Sequence, residues 1–348
     1  MDLISKSSNW LKATDFSKSI QVRTKDVLGR FHKYVSRLQD DAFQTFLTPT
    51  SKNECLDLIN GIRDQVDDLI NSYLKGNLCE AIAIAHDLIA PLGISQCDAY
   101  QNFYRARSNE SGYEYTKDEM FHIPYNLRHK VTNQRYSVTG LPCLYIATST
   151  YLAWEELERP DYQTCNYCLL INKQPLAFYD LCIPNTLSSK GDIRRTCLAL
   201  ASSLKCQKEH IFKLEYIVPQ SLLQSITREQ MLENECIGIR YYSTPFLNKE
   251  TNVFRTDFNN EKCTSRFINI VIPAQSPKRY GLSSQLNKLF RRSSALSMMQ
   301  RYLMNNSSDQ STGDSHDDYE RSQFAMIEQD LYKKLKEETY SSKRVIRK

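Results

Sequence analysis

Glycine is scarce in this 348-residue chain: only 10 occur, and the two nearest in sequence, Gly61 and Gly76, stand fifteen positions apart. A phosphate-cradling loop needs several glycines within a few residues, because its backbone must take left-handed turns and approach the phosphate closely. Neither the GxxxxGK[ST] loop nor the GxGxxG fingerprint can exist here, so a Gly-rich phosphate cradle is excluded. No stretch approaches the ~18 to 20 apolar residues of a membrane span. The opening MDLISKSSNW lacks a basic segment followed by an apolar one, so no secretory signal is expected and the expected location is the cytoplasm.

Eleven cysteines, an odd number, read as reduced thiols rather than a disulfide framework. Cys165 and Cys168 form a C-x-x-C with no second pair and no close histidine pair to complete a tetrahedral zinc site. They are expected to border a buried strand as small hydrophobes, and no metal is expected.

Apolar residues recur at helical spacing in the first part of the chain: Val27, Phe31, Tyr34 and Leu38, then Leu56, Ile59, Ile62, Val66 and Ile70. Thr50, Ser51 and Asn53 supply capping residues before the second helix, and Gly76-Asn77 separates it from a third that runs to about Leu88. Pro91 and Gly93 end the pattern, which predicts a helical domain over 1–98. Short apolar runs then suit strands at Cys143–Ala147, Cys168–Ile171, Leu176–Leu181, Leu214–Val218 and Phe267–Ile272. Helical patterns interrupt them near Thr150–Glu158, Ile193–Leu204 and Ser221–Met231. The order predicts an α+β domain over 99–275 with a twisted mixed sheet and flanking helices.

Beyond Pro277 stand Lys278, Arg279, Lys288, Arg291, Arg292 and Arg301 with no acid before Asp309, six charges against a net +5 for the whole chain. With Leu286, Leu289, Phe290, Leu296, Met299 and Leu303 at helical spacing they predict a basic amphipathic helix, docked on its own protein or on a partner. A flexible linker over 305–318 and a last helix near Phe324–Glu338 complete the region 276–348.

The residues expected to carry chemistry are polar side chains set in apolar or strand-like sequence, where an unpaired charge would be costly to bury. Arg105, in FYRARS, could clamp a phosphate bidentately, with Arg107 as its competitor. Glu156 shares a helical face with Leu152 and Ala153 and is expected to point inward, while Glu155 faces Arg159 in a solvated pair. Tyr145 lies on the strand before that helix. Ser243 ends a strand face that carries Ile237, Ile239 and Tyr241. Histidine chemistry is not indicated, since the six histidines are scattered and His122 and His129 sit in a polar loop.

Together FYRAR, QRYSVTGLPCLYIATSTYLAWEEL and GIRYYS followed by NIVIPA resemble the RES-domain family, over about residues 99–275. The pattern has its arginine at Arg105, a strand tyrosine at Tyr145 with a glutamate eleven positions on at Glu156, and its serine at Ser243. Tyr136 stands where many members have tryptophan. The resemblance implies an ADP-ribosyltransferase-like fold and cleavage of the nicotinamide-ribose bond of NAD, as substrate and without a metal, by phosphate or water. Glu156 would stabilise the oxocarbenium-like ribose, Arg105 with Arg135 would hold the pyrophosphate, and Ser243 would fix Glu156 or the ribose. Tyr145 and Tyr136 would contribute to NAD binding. It also implies a toxin or phage-defence role, an antitoxin or regulatory partner, and a homo-oligomer as a further option. The alternatives are a protein mono-ADP-ribosyltransferase and a non-catalytic module binding through the basic 278–301 cluster.

Overall fold

The computed structural model describes residues 3–12, 15–46, 50–109, 111, 113–207, 209–230, 236–248, 260–305 and 319–345. In chain order the helices are α1 (Leu3–Leu11), α2 (Ile20–Ser36), α3 (Asp41–Gln44), α4 (Lys52–Leu74), α5 (Leu78–Ile89), α6 (Thr150–Glu155), α7 (Lys190–Ser202), α8 (Ile217–Gln230), α9 (Thr244–Leu247), α10 (Glu261–Thr264), α11 (Ser284–Leu289), α12 (Met298–Asn305) and α13 (Gln323–Val345). The strands are β1 (Ser95–Cys97), β2 (Asn102–Ser108), β3 (Cys143–Ala147), β4 (Cys165–Asn172), β5 (Leu176–Asp180), β6 (Cys236–Tyr242), β7 (Ile268–Pro273), β8 (Phe290–Arg292) and β9 (Leu296–Ser297). The fold is α+β, with parallel and antiparallel strand pairs.

Contacts divide the chain into two units, each assembled from three stretches of sequence. The first comprises Met1–Ser95, Thr132–Leu141 and Ala177–Thr251; the second comprises Gln96–Val131, Pro142–Leu176 and Asn252–Lys348. The expected 99–275 domain is therefore shared between them. The physical reason lies in the helices: the apolar faces of α7 and α8 (Ile193, Cys197 and Leu200; Leu222, Leu223 and Ile226) pack against α2, α4 and α5 and are buried there.

In the first unit the expected helices are present, with α1 and α3 in addition. Ser51 opens α4 with a capping box: its Oγ accepts from the Glu54 N–H at 3.2 Å, and Glu54 Oε2 accepts from the Ser51 N–H at 2.9 Å. Gly76 ends α4 at φ +83°, a left-handed turn that glycine takes without a Cβ clash. Arg23 on α2 and Glu215 form an ion pair in which both side chains are buried. A second Arg23 nitrogen donates to the Lys205 carbonyl at 2.7 Å, so α2 is tied to the α7–α8 connection. The parallel pair β5–β6 runs from Ala177↔Cys236 to Asp180↔Arg240.

The expected strand at Leu214–Val218 is not one. Residues Leu214–Tyr216 form a 3₁₀ turn that leads directly into α8. A short apolar run fits strand and buried helix equally, and Pro219 in the first turn costs the helix no hydrogen bond, since that N–H would have had no partner.

The second unit holds antiparallel strands in the order β7–β3–β2–β4–β8, with β9 also paired to β4. Helix α13 runs beside β4 and α6, where the Thr150 N–H donates to Glu328 Oε1 at 2.9 Å and Thr150 Oγ1 to the Phe324 carbonyl at 2.9 Å. The expected amphipathic helix is broken: α11 stops at Leu289, then β8 and β9 take up the open backbone groups of β4 before α12 begins. Three of its six cations are engaged inside this unit. Arg292 meets Asp118 at 3.3 Å and Asn287 at 2.7 Å, Arg301 meets Asp330 at 3.0 Å, and Arg291 donates to Thr339 at 3.0 Å. Of the expected linker over 305–318, Asn305 is the last residue of α12 and 306–318 lie outside the described residues, whereas the last helix is present as α13. Among the described residues no helix is long and apolar enough to cross a membrane.

Candidate active site

Helix α6 is short and carries two adjacent carboxylates whose environments are the reverse of the expected ones. Ser149 caps it, its Oγ accepting from the Leu152 N–H at 3.1 Å. The Tyr151 ring packs edge-on against Phe267 and Phe324, and Glu155, one turn further on, is buried at 5% exposure. The sequence period of α6 contains no sign of α13, which supplies Phe324. Glu155 Oε1 accepts from Tyr151 Oη at 3.0 Å and from Arg159 Nε at 3.1 Å, while Oε2 has no partner. Burial pushes the Glu155 carboxyl above its ordinary range, against the opposing pull of Arg159 and Tyr151. Glu155 is a packed structural group.

Glu156 is exposed instead, at the C-cap of α6. Its carboxylate is nevertheless held: Glu156 Oε1 accepts from Asn269 Nδ2 at 2.8 Å. Asn269 is buried on β7, opposite Ala147 of β3. Strand alternation puts Asn269, Val271, Ala147 and half-buried Tyr145 on one face, since Tyr145 pairs with Val271. A solvent-facing carboxylate thus has a rigid donor behind it and an aromatic ring on the supporting strand. Asn269 was not singled out from sequence, although an asparagine inside FINIVIP meets the criterion that selected the others.

Arg105 lies on β2, in the interior of its strand group rather than at an edge. Tyr104 pairs with Ala147, so Tyr104 shares the Asn269 face and Arg105 starts from the opposite one, level with Cys168. β2 and β3 pair only at Tyr104↔Ala147, and beyond that point Arg105 Nη1 donates to the Tyr145 carbonyl at 3.0 Å. The guanidinium takes the place of a ladder hydrogen bond. Arg105 Nε is buried without a partner, and desolvation lowers the affinity of the guanidinium for its proton. Arg107 is committed elsewhere: its Nη1 donates to the Glu119 carbonyl at 2.8 Å and its guanidinium lies over the Tyr115 ring at 4.2 Å. The structure joins Arg105 to the Tyr145 backbone and Glu156 to Asn269.

Arg135, Tyr136 and Ser243 belong to the first unit. Arg135 Nη1 donates to the Ser202 carbonyl at 2.8 Å, and its guanidinium sits 5.0 Å from the Tyr216 ring. Tyr136 is buried against Tyr241, ring centroids 4.3 Å apart, and burial pushes its phenol well up. Ser243 is fully buried directly after β6. The loop that carries Arg135 and Tyr136 is fixed by Gln220, whose Nε2 donates to the Gln134 carbonyl at 2.8 Å and to Ser137 Oγ at 3.2 Å.

His122 is a buried group, not a loop residue in water. Its ring lies in the second unit at 0% exposure, between Nδ1···Ile123 O at 2.8 Å and a Ser283 N–H that donates to Nε2 at 2.8 Å. Burial, with Arg105, Arg292 and Arg128 nearby, pushes its pKa down to about 4. Cys165 and Cys168 are both buried on β4, and three positions apart on a strand they point to opposite faces, so they cannot share one ion. Among the described residues no group of three or more His, Cys, Asp and Glu side chains could hold a metal ion.

Comparison with known proteins gives one informative similarity. A Bacillus subtilis (strain 168) protein named "Putative toxin YopC" is 31% identical over 209 residues, which is 54% of this chain and 44% of that protein. The chain thus spans less than half the length of the curated relative it matches. No protein-family profile matches the chain. No solved structure matches it either.

Proposed function

We propose that this chain is a toxin that consumes NAD by cleaving its nicotinamide-ribose bond, with Glu156 as the catalytic carboxylate. The observation that carries the reading is the arrangement of Glu156: it faces solvent, yet buried Asn269 holds one oxygen at 2.8 Å. A merely solvating surface glutamate has no use for a buried amide. Nicotinamide leaves as a neutral group, and positive charge then develops on the ribose, so a fixed carboxylate gains interaction strength mainly in the transition state. Its place at the C-cap of α6 adds the negative end of the helix to the same field. Asn269 is a positioning residue, since it spares the carboxylate reorganisation as charge develops. Tyr145 offers a ring on the supporting strand face. Arg105 Nη1 holds the Tyr145 carbonyl and so fixes the strand that carries that ring. The name of the Bacillus relative supports the toxin part of the proposal, and such an enzyme would need a neutralising partner protein in the cell that makes it.

The test is nicotinamide release from NAD by the purified protein, with and without inorganic phosphate, beside Glu156→Gln. The wild type should release nicotinamide and the folded variant should lose at least two orders of magnitude, which is about 2.7 kcal/mol of transition-state stabilisation. Release that needs phosphate identifies a phosphorylase, and release without it a hydrolase. Near-wild-type turnover by Glu156→Gln overturns the assignment, and no release by the wild type overturns the proposed reaction.

A further inference from the structure

In the first unit one lysine of α1 and a cationic row on α2 line the same pocket. On α1, Lys6, Asn9 and Trp10 recur at i, i+3 and i+4. On α2 and its C-cap, Arg30, Lys33, Tyr34 and Arg37 recur at i, i+3, i+4 and i+7. These residues form an open surface pocket of about 280 Å³ lined by Lys6, Asn9, Trp10, Arg30, Lys33, Tyr34 and Arg37, with no acidic side chain among them. Its aromatic part is braced. The Trp10 and Tyr34 rings lie 5.2 Å apart, Lys6 Nζ sits 4.5 Å from the Tyr34 ring centroid, and Arg30 Nη1 donates to the Trp10 carbonyl at 2.9 Å.

Four cations gathered without an acid repel one another, and protein surfaces ordinarily relieve this by pairing. The neighbouring lysines do so: Lys18 meets Asp26 at 3.1 Å, and Lys25 of α2 meets Asp67 at 2.8 Å. Among the described residues Lys6, Arg30, Lys33 and Arg37 form no ion pair. The negative end of the α2 dipole accounts for Lys33 and Arg37 in the last turn and its cap, and Arg30 serves the Trp10 carbonyl in the last turn of α1, but neither accounts for Lys6.

We propose that this pocket binds a small phosphate-bearing ligand with a planar ring, the chemistry of a nucleoside diphosphate. Guanidinium and ammonium groups take the phosphates, and the half-buried Tyr34 ring, beside the buried Trp10, meets the planar ring. Simple phosphate leaves the aromatic part unused. The pocket lies at the small end of ligand sites, roughly 300 Å³, which suits one small molecule rather than a polymer strand. No covalent step is involved.

Trp10 is the reporter. The chain has two tryptophans, so Trp154→Phe leaves Trp10 alone to fluoresce, with folding checked by circular dichroism. Titration with ADP should quench Trp10 saturably, with adenosine and inorganic phosphate each weaker by roughly tenfold or more, the loss of one partner's contribution of about 1.4 kcal/mol. Lys33 and Arg37 are exposed, so Lys33→Ala/Arg37→Ala folds and should weaken ADP by roughly tenfold or more. Lys25→Ala should leave the Trp10 response unchanged. A response that stays flat to millimolar ADP, equal affinity in the Lys33/Arg37 variant, or binding of a single-stranded oligonucleotide with none of ADP would each overturn the proposal.

Discussion

Acid should weaken the second unit through a single ring, His122. The geometry fixes its tautomer: Nδ1 must carry the hydrogen that meets the Ile123 carbonyl, because Nε2 accepts from the Ser283 N–H. A second proton would have to enter at Nε2, directly against that N–H, and would also face the positive field of Arg105, Arg292 and Arg128. The ordinary pKa of about 6.5 applies to the unfolded chain, and the folded value is pushed down to about 4. Between those values the unfolded state binds a proton that the folded state refuses, so stability is full above about pH 7 and falls as the pH drops. From pH 8 to pH 5 the loss assigned to this ring is about 2 kcal/mol, approaching about 3 kcal/mol at the lower pKa and below. The assay is urea unfolding at several pH values for the wild type and His122→Gln, whose side-chain oxygen can accept from Ser283 in place of Nε2. Other titrating groups cancel in the difference. Parallel profiles for the two proteins, or an NMR titration that places the His122 midpoint near 6.5, would refute the reasoning.

Other consequences can be measured separately. Asn269→Ala should lower nicotinamide release by roughly tenfold with little change in the apparent affinity for NAD, and Asn269→Asp should be worse because it places two carboxylates together; an effect on KM alone would argue against positioning. Arg23→Ala should cost about 3 to 5 kcal/mol in a denaturant melt, because it leaves Glu215 charged and buried, and a loss under about 1 kcal/mol would show the pair to be dispensable. A thiol reagent should modify exposed Cys79 first and leave Cys165, Cys168, Cys182 and Cys197 untouched until unfolding; mass spectrometry of partly labelled protein reads the order.

The helices that bury one continuous face were legible in the sequence, as were β3, β4, β5 and β7, because local apolar period determines them. What was not legible depends on partners distant in the chain. Glu155 and Glu156 exchanged expected roles because Phe324 of α13 covers the Tyr151 side of α6, and nothing within α6 encodes that cover. Leu286 to Leu303 kept helical spacing, yet the open edge of β4 drew Phe290–Arg292 into pairing. His122 looked like a polar-loop residue because its partners are backbone groups, which leave no mark on composition. Asn269 could have been found by asking which strand residues are polar without need.

The interleaving of the two units also sets a timetable for synthesis. Helix α6, which leads into Glu156, is held at its first residue by Glu328 of α13. After Glu156 the ribosome must add 172 residues, the last of them Glu328, before that hold can form. At about 5 to 20 residues per second this takes roughly 10 to 35 seconds. Until then the Glu156 carboxylate has been made but the helix leading to it lacks its brace.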